Sequence, residues 1–98
     1  MQKLLYSSSS EKILHLHAVA LLRKGNISEA ISQLKKAIEL KPDYADAHNT
    51  LGVALQKKGN TSEAISHYKR AVALNPDYAQ AHSNLKIALL KLVKIEGF

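Results

Sequence analysis

The chain has 98 residues, 46% of them hydrophobic, and a formal net charge of +6. That length holds one small domain with a modest core, and the absence of cysteine excludes disulfides and thiolate metal sites. No apolar run approaches the roughly 20 residues of a membrane span, and Met1–Tyr6 is too short for the core of a signal peptide. A cytoplasmic chain with no membrane partner is therefore expected. The basic residues do not form one block. They recur as pairs, Arg23–Lys24, Lys35–Lys36, Lys57–Lys58 and Lys69–Arg70, with no aromatic or glycine-rich reading motif beside them, so nucleic acid is not the expected partner.

In chain order, residues 1–10 read as a loose leader. Its Ser7–Ser10 run has the composition of a linker or phosphorylation site. Ser8 with Glu11 also has the spacing of a capping box, in which each side chain satisfies a free backbone N–H of the first helical turn. A helix is predicted from about Ser9 to Lys24, stopping at Gly25, the residue type that ends helices at positive φ. Asn26 with Glu29, and Asn60 with Glu63, again have the N-cap spacing, although Asn26-Ile27-Ser28 and Asn60-Thr61-Ser62 also match the glycosylation pattern.

Helices follow from about Ile27 to Leu40 and from Thr61 to Leu74. Their apolar residues Ala30, Ile31, Leu34, Ala37, Ile38 and Ala64, Ile65, Tyr68, Ala71, Val72 keep helical spacing. Pro42 and Pro76 disfavour helix in the residue before each and so make sharp corners. Asp43 and Asp77 can then cap the next helices. A last helix is expected from about Tyr78 to Ile95, with Leu85, Ala88, Leu89 and Leu92 as its apolar face.

The organising feature is repetition. Gly25 to Gly59 and Pro42 to Pro76 are equal steps of 34 residues, and placing 45–78 on 11–44 gives 17 identities spread along the unit. A fixed period of this size marks a solenoid, whose units bury their apolar faces only against neighbours.

These residues resemble the tetratricopeptide repeat family. Its motif of Leu-Gly, a turn Gly, two Ala, an aromatic and an exit Pro is met by Leu51, Gly52, Gly59, Ala64, Ala71, Tyr68 and Pro76. In the first unit the same positions hold His17, Ala18, Gly25, Ala30, Ala37 and Pro42, with Leu34 in place of the aromatic. The resemblance covers residues 11–92. It implies an all-α fold, a right-handed α-α superhelix: repeat 1 at 11–44, repeat 2 at 45–78, and a half-repeat capping helix at 79–98. Lys86 stands where Gly52 and Ala18 admit a second helix. A lysine is costly to bury unpaired, so no second helix is expected to pack there. Ile87, Leu90, Val93 and Ile95 lie on other faces of that helix. Self-association through it is the expected consequence, and a fragment of a larger array is the rival reading.

In the family, the first helix of each pair lines a concave groove that binds peptides. Carried over, the groove positions are Lys12, His15, Leu16, Val19 and Arg23; then Asp46, Asn49, Thr50, Val53 and Lys57; then Gln80, Ser83, Asn84, Ile87 and Lys91. Apolar contacts at Val53 and Ile87 would hold a protein or peptide partner, with Asn49 and Asn84 fixing its register. At the family's chaperone-tail clamp positions stand His15, Val19, Thr50, Gln80 and Asn84, none of which matches the clamp. The repeats also look like those preceding O-linked N-acetylglucosamine transferase domains, but only Asn84 occupies a position of that asparagine ladder.

Catalysis is not expected, because no nucleophile–base pair, phosphate loop or paired carboxylates can be found. No cofactor is expected either. His15 and His17, two apart, lie on different helix faces and cannot share a metal. His48 and His82, one repeat apart, read as packing substitutes for an aromatic, with a shared metal as the rival; His67 is expected to face outward.

Overall fold

A computed structural model describes the backbone of residues 2–95 and the side chains of residues 10–94. Five helices follow one another: α1 (Gln2–Arg23), α2 (Ile27–Leu40), α3 (Ala45–Lys57), α4 (Thr61–Leu74) and α5 (Ala79–Ile95), with no strand among the described residues. The expected loose leader is already helical from Gln2. Nothing between Gln2 and Lys24 breaks a helix, since serine weakens helical propensity without stopping it. The Ser8–Glu11 capping box involves a side chain outside the described residues, and the helical backbone on both sides of Ser8 leaves no helix start there.

Helices adjacent in sequence pack together, and their three- and four-residue connections make them antiparallel neighbours. Beyond that, α1 touches α3 and α3 touches α5, whereas α2 and α4 do not meet. The layer of α1, α3 and α5 is therefore the tighter, inner one, and the stack curves around it.

Small residues allow this closeness. Ala18, Ala30, Ala37, Ala47, Ala54, Ala64 and Ala88 are fully buried, and Leu34, Leu51 and Tyr68 interdigitate around them. Each of these large side chains contributes about 1.5–3 kcal/mol by leaving water. In repeat 2 an ideal Cβ on Gly52 would lie 2.5 Å from Tyr68 Cε1, so the ring fills the space that glycine leaves. The Tyr68 hydroxyl donates to Gln56 Oε1 at 2.6 Å, and burial pushes its pKa up to about 12.

Gly25 and Gly59 adopt φ of 87° and 91°. Each closes a Schellman turn: Asn26 N–H donates to the Leu21 carbonyl at 2.8 Å and Gly25 N–H to Leu22 at 3.0 Å, with Asn60–Leu55 and Gly59–Gln56 as counterparts. This geometry corrects the capping expectation. Asn26 and Asn60 do sit at the N-caps, but neither side chain makes a cap bond. The N–H that Glu29 or Glu63 would have to reach is already used by the preceding helix. Asp43 does not cap either. It lies inside a turn closed by Tyr44 N–H to the Lys41 carbonyl at 3.1 Å, and the N-cap of α3 is Tyr44.

The last helix buries Ala81 and Ala88 and half-buries Leu85 and Leu92. Leu89 does not join that face as expected: it is 42% exposed, with Leu90 and Val93 at 60% and 48%. Lys86 is exposed.

Candidate functional site

Because α1, α3 and α5 form the inner layer, residues one repeat apart line up across it. A groove of about 500 Å³ opens along this face. Of the positions expected from the sequence, His15, Val19, Arg23, Asp46, Asn49, Thr50, Val53, Lys57 and Gln80 line it, joined by Leu22 and Tyr78. A second hollow continues past Val53 and Lys57 to Asn84 and Lys91, with Gln56 and Tyr68 in its wall. Lys12, Leu16, Ser83 and Ile87 are exposed but line neither hollow. Tyr78, absent from the expected set, precedes α5 and repeats Tyr44 after one unit; the shared Pro-Asp-Tyr turn was the available signal.

Two side-chain rungs cross the floor. His15 Nε2 lies 2.9 Å from Thr50 Oγ1, and Asn84 Nδ2 donates to Asn49 Oδ1 at 3.0 Å. His15 and Asn49 are equivalent positions one repeat apart, as are Thr50 and Asn84, so one rung is built twice with different chemistry. Tyr78 and Asp46 line the groove beside the second rung. Asp46 and Asn49 both act on the Tyr78 hydroxyl, the first raising its pKa and the second lowering it. Burial, reinforced by Asp46, pushes the Tyr78 phenol up to about 12, so it remains a donor at neutral pH.

Asn49 is buried, which leaves little of it exposed for the register role expected from the sequence. At 3% exposure, with its carbonyl oxygen accepting from Asn84, it supports the floor. His15 sits edge-on to the Tyr44 ring at 5.4 Å, and its burial lowers its pKa despite the nearby Asp46 charge. The groove floor therefore carries a neutral imidazole at neutral pH.

His48, His67 and His82 line neither hollow and bond elsewhere. His48 Nε2 donates to the Pro42 carbonyl at 2.9 Å, and His82 Nε2 makes the equivalent bond to Pro76 at 2.8 Å. They are turn anchors, a polar role that aromatic substitution did not foresee. His67 does not face outward: its Nδ1 is 3.1 Å from His48 Nδ1, with the ring centroids 5.3 Å apart. The two nitrogens point at each other, as in an N–H···N hydrogen bond. Since Pro42 fixes the His48 proton on Nε2, neutral His67 donates from Nδ1. Among the described residues, no group of three or more His, Asp or Glu could hold a metal ion.

A sequence profile described as TPR repeat matches residues 19–59, and one described as Tetratricopeptide repeat matches residues 45–78. The chain belongs to the tetratricopeptide repeat family. It is an all-α helical repeat and, in general terms, a protein-interaction module. No curated protein sequence matches it. Among solved structures, it is similar to the first TPR of Spaghetti (RPAP3) bound to the HSP90 peptide SRMEEVD. That likeness has a TM-score of 0.85 and 26% identity, over 91% of this chain and 71% of that one. It is also similar to two crystal structures of MamA, with TM-scores of 0.78 and 0.77 and 26% identity over 82% of this chain. The chain spans a little under half the length of MamA, 47% and 44% in the two structures. Among the described residues, no helix of this tetratricopeptide repeat protein is long and apolar enough to cross a membrane.

Proposed function

We propose that this tetratricopeptide repeat protein is a non-enzymatic scaffold that binds a peptide segment of another protein in the groove of α1, α3 and α5. The observation that carries this reading is the groove itself: half-buried Val19, Leu22 and Val53 flanked by charged and amide side chains across three helices. Apolar contacts would supply affinity, and polar groups at the edge would set register. The similar Spaghetti repeat, whose structure contains a bound peptide, supports the mode of binding but not the same ligand. None of the residues here at the chaperone-tail clamp positions, His15, Val19, Thr50, Gln80 and Asn84, matches that clamp.

The test is affinity capture with wild-type protein and Val53→Glu, a change on the groove wall. A partner retained by the wild type and lost by an equally helical variant is the expected result. Equal capture by both would exclude the groove.

A second reading is favoured by Leu89, Leu90 and Val93, which stay exposed on α5. In it, the chain self-associates through this helix. Replacing Leu90 and Val93 with lysine should then reduce the mass seen at sedimentation equilibrium; a wild-type protein that is already monomeric at high concentration removes this reading.

A further inference from the structure

Two rows of side chains run across the groove from repeat to repeat. One is apolar: Val19 and Val53 in the groove, continued in repeat register by exposed Ile87, which lines neither hollow. The other is cationic: Arg23, Lys57 and Lys91, each four residues after its apolar partner and so one helical turn along the same face. Lys57 and Val53 line both hollows, which makes the rows continuous. The three cations are exposed, and none has an ion-pair partner among the described residues. Asp46 is the only carboxylate among the described residues lining either hollow.

Neutralising helix dipoles does not account for this row. The inner helices α1 and α3 carry Arg23 and Lys57 in their last turns, whereas the outer helices α2 and α4 carry no basic residue there. Lys41 stands at the C-cap of α2, but Lys91 lies ahead of the last turn of α5, where Lys94 serves the dipole instead.

Resting on the groove reading above, we infer that the ligand is an extended acidic peptide, with apolar side chains on the Val19–Val53–Ile87 row and adjacent carboxylates on Arg23, Lys57 and Lys91. The spacing fits. Neighbouring packed helices lie about 8–10 Å apart. A polyproline II peptide rises about 3.1 Å per residue with three residues per turn, so it presents every third side chain to one face at about 9 Å intervals. An apolar residue at every third position, each followed by Asp or Glu, meets both rows at once. These cations lie outside the clamp positions named above. A single-stranded nucleic acid suits the rows less well, because its bases need aromatic platforms and the floor row is branched aliphatic.

The test uses three labelled probes in fluorescence anisotropy: a 12-residue peptide with Leu-Glu at every third step, its Leu-Gln counterpart, and an oligothymidylate. Three exposed ion pairs together give about tenfold in affinity, so the Glu peptide should bind about tenfold tighter than the Gln peptide at low salt. That advantage should vanish at about 1 M salt, where charges are screened within about 3 Å. It should also vanish in the triple variant Arg23→Gln/Lys57→Gln/Lys91→Gln, which should bind the Glu and Gln peptides equally. Equal binding of both peptides to wild type overturns the acidic-ligand inference and leaves groove binding standing. Oligothymidylate displacing the Glu peptide at similar concentration reassigns the row and overturns the inference. Binding of neither peptide overturns it as well, while the groove reading is judged separately by the Val53→Glu capture.

Discussion

Substituting Gly52 with alanine sets two opposed effects against each other within one helix. Alanine in place of glycine in a helix interior gains about 1 kcal/mol of propensity. Here the new methyl would sit 2.5, 2.7 and 2.9 Å from three atoms of the Tyr68 ring. The ring cannot swing aside freely, because it is 1% exposed and its hydroxyl is held by Gln56 at 2.6 Å. Overpacking costs about 1–3 kcal/mol, and weakening that hydrogen bond costs about 1 kcal/mol more. The net expectation is a loss of about 1–3 kcal/mol. For a domain of this size, each kcal/mol lowers Tm by about 4–8 °C. Repeat 1 contains the compensated version: Ala18 and Leu34, both fully buried, occupy the places of Gly52 and Tyr68. Adding Tyr68→Leu should therefore remove the penalty for Gly52→Ala. A double-mutant cycle by chemical denaturation should show at least about 1 kcal/mol of coupling. If Gly52→Ala alone is as stable as wild type, the reasoning about this close approach is wrong.

Other expectations follow from the turns and the histidine pair. Alanine at Gly25 or Gly59 would find open space but a φ of 87° or 91°, so each should cost about 1–2 kcal/mol through the backbone alone. Wild-type denaturation midpoints would contradict this. Asn26→Ala and Asn60→Ala, by contrast, should change stability by less than about 0.5 kcal/mol, since neither side chain makes a cap bond. Losses of about 1 kcal/mol or more would show that the caps form in solution. Burial, the adjacent His48 and Lys35 hold the His67 pKa below its usual 6.5, and Glu63 opposes them only in part. The neutral form is thus favoured in the folded state: its stabilisation is present above the unfolded value and lost as pH falls below it. Wild-type Tm should drop more steeply than that of His67→Gln between about pH 7 and pH 5; parallel profiles would contradict the assignment.

The sequence made the helices legible because their start and stop signals repeat. Gly25 and Gly59 end helices as read, and the buried alanines fall where helical spacing put them. What could not be read was which of two competing partners a polar group takes. Asn26 and Asn60 have the residue type of a side-chain cap, but the Schellman turn before each claims the backbone N–H that the capping box requires. Asn49 looks like a ligand-binding amide until Asn84, 35 residues away in sequence, is seen to take its carbonyl oxygen. His67 is in the same case. Its partner His48 lies on another helix, and only the packing of α3 on α4 brings the two rings together. Leu16 and Ile87 share the repeat register of the groove residues, yet neither lines the two hollows.

The most direct test of the groove account is to record backbone amide NMR shifts of the wild-type chain during titration with the partner segment obtained by capture. The account predicts the largest changes at Val19, Arg23, Thr50, Val53 and Lys57, with α2 and the outer face of α4 nearly silent. Changes centred on Leu89, Leu90 and Val93, or spread over α2 and α4, would contradict it.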